Sequence, residues 1–271
     1  MPKPLARLPL VVLLLLSACG AGPIVPLAVV TSGAGLEVPP AHHAAVAEIV
    51  GVMRHALGLP VPERVSVFVY DSRAAFADGL VDEGYVPPDR VNEIASFAAG
   101  LARPGRVLLH ARATRGPLEW RRLIAHELTH VVQFDLAGGD GRAEQWLAEG
   151  LAERVAFDVL ERLGFDTVAD RRAQALSGAR RHPNFASGRL DLAALGSPLE
   201  FTLRHQRDGS RETYQISVVM ADYLVERHGL ATVLDYFRNC RVMDRDRAFA
   251  QTFGQPVEQF ETEVLAYLRQ L

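Results

Sequence analysis

Lysine is almost absent from this 271-residue chain: Lys3 is the single example, and nearly all of the 29 basic side chains are arginines. They are interspersed with 32 acidic residues, no basic run forms, and the formal net charge is −3. An ordinary nucleic-acid-binding surface is thereby excluded, and no nucleic-acid partner is expected. Cysteine is equally scarce. Cys19 and Cys240 are the whole supply, which excludes a disulfide framework. Long apolar runs are missing too: the stretch Leu8 to Leu16 is too short to span a bilayer as a mature helix. No internal repeat marks a solenoid or propeller. Hydrophobic residues nonetheless make up 49% of the chain. The roughly 230 residues beyond position 40 suit one large domain, or two closely packed subdomains, with a substantial core.

What the chain does contain is His126-Glu127-Leu128-Thr129-His130. Positions four apart share a helical face, so both imidazoles can aim a nitrogen at one ion about 2.0–2.1 Å away. Glu127 lies roughly 100° further round the axis, where it can reach a metal-activated water without being a ligand. A catalytic metal and its base thus fit within one helical turn. The flanks agree with a helix: apolar residues recur at 120, 123, 124, 128, 131 and 132, Pro117 suits a first turn, and Gly138-Gly139 suits the stop.

Such a zinc needs a third protein ligand and an open position. Eighteen residues, 131 to 148, separate His130 from Glu149, which sits in Trp146-Leu147-Ala148-Glu149-Gly150-Leu151-Ala152. This arrangement resembles the gluzincin metallopeptidases, in particular the aminopeptidase N family, in which the two-histidine helix is followed after the same gap by a Trp-Leu-x-Glu-Gly-x-Ala run. The resemblance implies one Zn²⁺ per chain held by His126, His130 and Glu149. Glu153, four residues on and on the same helical face, is placed to accept the second ring N–H of a ligand histidine. The alternative is a solvated carboxylate paired with Arg154 or Arg142. Tyr214, opening an amphipathic helix that runs to Gly229, is the candidate oxyanion donor. The family carries a catalytic tyrosine in Tyr-Glu-Lys-Gly at the start of a comparable helix; here Gln215-Ile216-Ser217 replaces the rest, and an ordinary core tyrosine is the other reading. His182 and His205 are weaker substitutes. The Gly-x-Met-Glu-Asn run that holds a substrate amine in that family does not occur, which argues against a dedicated aminopeptidase and leaves endopeptidase action open.

Residues 1–18 read as an export signal, with Lys3 and Arg7 before the apolar stretch. The following Leu16-Ser17-Ala18-Cys19-Gly20 resembles the lipobox of bacterial lipoproteins, by which Cys19 becomes the lipidated first residue of the mature chain. An ordinary signal cut after Ala18 is the alternative. Loss of Lys3 and Arg7 carries the net charge from −3 to −5. With Cys19 acylated, Cys240 has no disulfide partner, so stability must come from the core. Residues 19–40, rich in Gly, Pro, Ala and Val, read as a flexible linker.

The domain proper is expected over 41–271. A helix over 41–57, a strand over 65–70, a short helix over 73–80 and strands over 94–99 and 106–110, the last two joined by the turn Arg103-Pro104-Gly105, form a sheet part up to about residue 116. The segment 95–100 is the candidate edge for a peptide substrate, with a structural hairpin as the equal alternative. From 117 to 271 the pattern is helical apart from a looser stretch at 178–212, either a cover over the cleft or an exposed loop. The fold class expected is α+β and zincin-like: a small N-terminal mixed sheet with helices, then a mostly helical part. Together these features lead to a membrane-tethered zinc metallopeptidase at the bacterial cell envelope, acting on peptide or protein substrates. The alternatives are a catalytically weak zincin-fold lipoprotein serving in assembly or adhesion, and a non-peptidase hydrolase using the same metal. An intact Glu127 favours catalysis over a scaffold.

Overall fold

The computed structural model describes residues 40–187 and 191–270; the expected signal, the lipidation site Cys19 and the linker up to residue 39 lie outside them. Helix α1 (Pro40–Gly51) continues through a π-turn to Ala56. Strand β1 (Ser66–Tyr70), helices α2 (Arg73–Asp82) and α3 (Pro88–Phe97), and strands β2 (Gly100–Arg103) and β3 (Arg106–His110) follow. The strand order is β1-β3-β2, with β1 parallel and β2 antiparallel to β3. Alternation sorts the side chains: Val67, Val107 and Leu109 enter the main core, while Phe68 and Leu108 face the smaller one formed with α2 and α3.

The remaining elements are helices α4 (Pro117–Ala137), α5 (Gln145–Arg162), α6 (Val168–Arg180), α7 (Pro183–Ala186), α8 (Pro198–Asp208), α9 (Ser210–His228), α10 (Leu230–Cys240), α11 (Arg245–Phe253) and α12 (Val257–Gln270). The fold is therefore α+β, mostly helical with one small mixed sheet. None of the described helices is long and apolar enough to cross a membrane. Helix α4 joins the two parts, packing on β2 and β3 on one side and on α5 on the other. It begins with Pro117 in its first turn, where a missing N–H costs nothing, and ends at Gly138 in the left-handed conformation (φ 74°). Helix α5 in turn lies against α9, and Gly150 permits that approach: a Cβ there would come within 2.1 Å of the Ser217 carbonyl oxygen.

One expected strand is not one. Residues 94–97 are the last turn of α3, whose Val91 and Ala95 are buried four residues apart while Ile94 and Ala98 pack beside them. Read from residue 94 alone, the apolar run cuts that helical period; the period is set upstream, where Pro88 occupies the first helical position. The strand that follows is Gly100–Arg103, one of the two edge strands of the sheet, and not 95–100. The loose stretch at 178–212 is likewise mostly helical, comprising the end of α6, α7, a 3₁₀ turn at 193–195, α8 and the start of α9.

Two buried carboxylates lie away from α4. Burial lifts Glu144 to about 7 against the opposing charge of Arg245, 3.1 Å away. Burial, reinforced by Glu144, Asp191 and Glu258, lifts Glu261 to about 7 as well. A carboxyl whose folded pKa exceeds its unfolded value binds its proton more tightly when folded, so its contribution is present below about pH 4.5 and is lost as pH rises through 7. Glu261→Gln is therefore expected to melt higher than the wild type at pH 8, with the difference shrinking toward pH 5. Parallel thermal melts across that range would overturn this if the difference were flat.

Candidate metal centre

Three ligand-type atoms from two helices converge. His126 and His130 project from one face of α4, and Glu149 from the second turn of α5. His126 Nε2 and His130 Nε2 are 3.0 Å apart, and each is 3.4 Å from Glu149 Oε2. An ion of zinc's size, bound tetrahedrally at about 2.05 Å, requires its ligand atoms to lie about 3.3 Å apart. The triangle has those dimensions, and the three residues lie close enough to hold a metal ion.

The surrounding hydrogen bonds decide what these atoms offer. Gln133 Nε2 donates to the Ala148 carbonyl (2.9 Å), so its Oε1 is the atom that faces His130 Nδ1 at 2.8 Å and accepts from it. The hydrogen of His130 thus resides on Nδ1 and the Nε2 lone pair points into the triangle. His126 Nδ1 lies 3.3 Å from Glu153 Oε1 without meeting hydrogen-bond geometry. Gln145 Nε2 donates to Glu149 Oε1 (2.8 Å) and leaves Oε2 to face both rings; that oxygen is buried and has no hydrogen bond. The His130 lone pair, His126 Nε2 and an unsatisfied carboxylate oxygen converge on one point, an arrangement that a cation can satisfy.

Charge says the same. Burial opposes charging His126, yet the Glu149 and Glu153 carboxylates beside its two ring nitrogens outweigh it and raise its pKa. For Glu149, burial is again overridden, here by His130 and His126, which hold its carboxyl well below the usual range. The cluster wants a positive charge at its centre, and a proton and a metal ion compete to supply it. Glu153 is ionised for a related reason: burial is outweighed by Arg122, with which it forms a salt bridge.

His126, Glu127 and His130 are 8%, 6% and 7% exposed. Burial raises the Glu127 pKa, which suits a proton acceptor. Its carboxylate lies against β2, where a Cβ added to Gly100 would come within 2.6 Å of Glu127 Oε1. Tyr214 does join the site: its ring lies 6.4 Å from that of His126, while Phe201 and His205 of α8 pack edge-on against it at 5.6 and 5.7 Å. Burial, helped by the nearby Glu149, Glu153 and Glu127, pushes its hydroxyl well above the usual value, so it remains a donor. Helix α8 covers Tyr214 and reaches α3 through the rings of His205 and Phe97 (6.0 Å) and a Gln206–Glu93 hydrogen bond (3.4 Å). His182 instead accepts from the Asn184 N–H as the cap of α7. Cys240 is buried in the core, its thiol pushed up to about 11 by that burial.

Glu153 lies 3.3 Å from His126 Nδ1 and is ion-paired with Arg122 rather than with Arg154 or Arg142. Arg154 bonds Asp158 and Asp222 instead. Gln133, Gln145 and Arg122 escaped the sequence reading, as did the contact of Gly100 with Glu127. The two glutamines had a legible signal, three residues after His130 and four before Glu149 on the same helical faces. The other two meet their partners only through tertiary packing. Compared with known proteins, the chain matches no family model and no curated relative.

Proposed function

We propose that this protein is a zinc-dependent peptidase of gluzincin type, endopeptidase-like, tethered to the bacterial cell envelope by a lipid on Cys19. The observation that carries the reading is the 3.0–3.4 Å triangle of His126, His130 and Glu149 with a buried, unpaired carboxylate beside it at Glu127. The small mixed sheet with a free edge strand above α4 supports a zincin-like fold. Zinc bound there would supply a Lewis acid for the scissile carbonyl and the attacking water. Glu127 takes the water's proton and passes it to the leaving amine nitrogen, and Tyr214 donates to the oxygen that gains charge as the carbonyl becomes tetrahedral. Glu153 and Gln133 keep both imidazoles in the ligating tautomer, and Gln145 presents one oxygen of Glu149. A substrate chain would lie along the free edge of β2.

The purified protein is expected to carry about one zinc per chain and to cut a peptide library, with chelation abolishing cutting and zinc restoring it. Cutting that ignores chelation, or protein left metal-free after dialysis against zinc, would overturn the reading. Gly100→Ala supplies a finer test. The new Cβ meets the Glu127 side chain, from Oε1 to Cγ, rather than backbone, so fold and metal content are expected to persist while the displaced base costs about 10²-fold in kcat. Unchanged kcat would separate Glu127 from the chemistry.

A further inference from the structure

Helix α4 carries one more polar residue on the stripe that holds the two histidines. Arg122 precedes His126 by four positions, one turn and about 6 Å along the axis. Its Nη1 donates to both oxygens of Glu153. No other hydrogen bond or ion pair of Arg122 occurs among the described residues, and its side chain is 33% exposed. A guanidinium has five N–H donors in a planar fork, so Nε and Nη2 keep N–H groups to offer. Nor does Arg122 have Glu153 to itself, because Glu153 Oε1 also lies 3.3 Å from His126 Nδ1. We infer that Arg122 determines specificity by binding a substrate carboxylate on the leaving side of the bond at the metal, one or two residues beyond it.

The placement of β2 says which side of the substrate this is. Strand and helix run the same way: Gly100 lies against Glu127, and Arg103 at the other end bonds Asp140, just past the end of α4 (3.0 Å). Arg122 therefore lies beyond the Gly100 end. A chain paired antiparallel to β2 points its carboxyl-terminal part toward that end. An extended residue spans about 3.3–3.6 Å, so the axial step of about 6 Å from His126 to Arg122 corresponds to one or two residues past the reacting bond. The Arg103 end, beside His130 and Glu149, opens toward solvent. The Gly100 end is bridged: Phe97 meets His205 of α8, with ring centres 6.0 Å apart, and Gln206 donates to Glu93 (3.4 Å). Tyr214 packs against His205 under this bridge and is near enough to Arg122 to interact with its charge. A carboxylate drawn in there meets a partly desolvated cation, where a charge-assisted, two-pronged pair is stronger than at an open surface. It can come from two sources, the substrate's own chain terminus or an acidic side chain on the leaving part.

The inference rests on the peptidase reading for the nature of the substrate, but not for its first test. Zinc-loaded full-length protein is titrated calorimetrically with acetohydroxamate and with two pairs of hydroxamates that share its chelating head. The pairs are succinate monohydroxamate with its amide, and the same compound extended by glycine with its glycinamide counterpart. In at least one pair the acid is expected to bind about ten-fold or more tightly than the amide. Arg122→Gln is expected to bring that ratio to about one while acetohydroxamate still binds. Arg122→Lys, which keeps a charge beside Glu153 but loses the fork, should leave an intermediate ratio. Zinc content is measured in each variant; where Arg122→Gln has lost its metal, Arg122→Lys decides. Acid and amide binding alike in the wild type, absence of binding, or an undiminished ratio in the deciding variant each overturns the inference. Peptides of one sequence, with a free or amidated terminus and with Glu or Gln in the two positions after the cut, then separate the sources. Faster cutting of the free acids assigns the chain terminus, and faster cutting of the Glu peptides assigns the side chain. Cutting indifferent to both overturns the inference and leaves the peptidase reading standing. A protein that shows the acid-to-amide ratio yet cuts no peptide would instead remove the peptidase reading and leave the carboxylate site.

Discussion

Glu127→Gln is expected to leave zinc bound at about one per chain and to reduce peptide hydrolysis by roughly 10²–10⁴-fold, the range associated with a lost general base. The amide has the shape of the carboxylate, so the buried space between α4 and Gly100 stays filled and little stability should be lost. It cannot accept a proton from water, and the acceptor that burial has raised toward a useful pKa is gone. The Nε2 atoms of His126 and His130 and Oε2 of Glu149 are untouched, because Glu127 is no part of their triangle. Metal content by atomic absorption and turnover of a quenched fluorescent peptide on the same sample separate the two effects. A variant that turns over peptide like the wild type would take Glu127 out of the chemistry. One that loses its zinc would make it a ligand or a structural support.

Glu149→Ala should act in the opposite order, on the metal first. Removing Oε2 leaves two neutral imidazoles where a third, anionic donor had set both the charge and the geometry, and zinc affinity is expected to fall by more than 10²-fold, with hydrolysis falling alongside. The comparison that gives the loss meaning is Glu153→Gln. Glu153 would act on a bound metal only through His126 Nδ1, 3.3 Å away, and an outer partner of this kind is worth about 10–100-fold in affinity. Competition against a chromophoric chelator should rank wild type above Glu153→Gln and Glu153→Gln above Glu149→Ala. Equal affinities for Glu149→Ala and the wild type would exclude Glu149 as the third ligand. Glu153→Gln also strips Arg122 of its carboxylate, so its melting temperature is measured in parallel, with and without zinc, to keep stability apart from affinity.

Legibility from the sequence followed the range of the interactions. The limits of α4 were readable because a proline in the first turn and a left-handed glycine after the last are local conditions. The pairing of His126 with His130, and of Gln145 with Glu149, follows from a four-residue spacing on one helix. The run from Ile94 was misread because a short apolar segment fits either period until the proline that starts its helix is taken into account. Arg122 with Glu153, and Gly100 with Glu127, are separated by 31 and 27 positions; no periodicity connects them, since each pair meets where two different elements cross.

By itself, then, the amino-acid sequence determined a helix bearing two histidines and a carboxylate, a second helix bearing Glu149 and Glu153, and a chain poor in the features that other stabilising strategies need. Helical repeat and end-capping are properties of neighbouring residues, so they survive translation into one dimension. The tertiary structure decided that the Nε2 atoms of His126 and His130 and Oε2 of Glu149 converge within 3.0–3.4 Å, that Gln133 holds the hydrogen of His130 on its outer nitrogen, and that Gly100 comes up against Glu127. Those depend on the crossing of α4 with α5 and on the close approach of α9 over Gly150, where contacts between distant residues, not the order of adjacent ones, fix angles and distances.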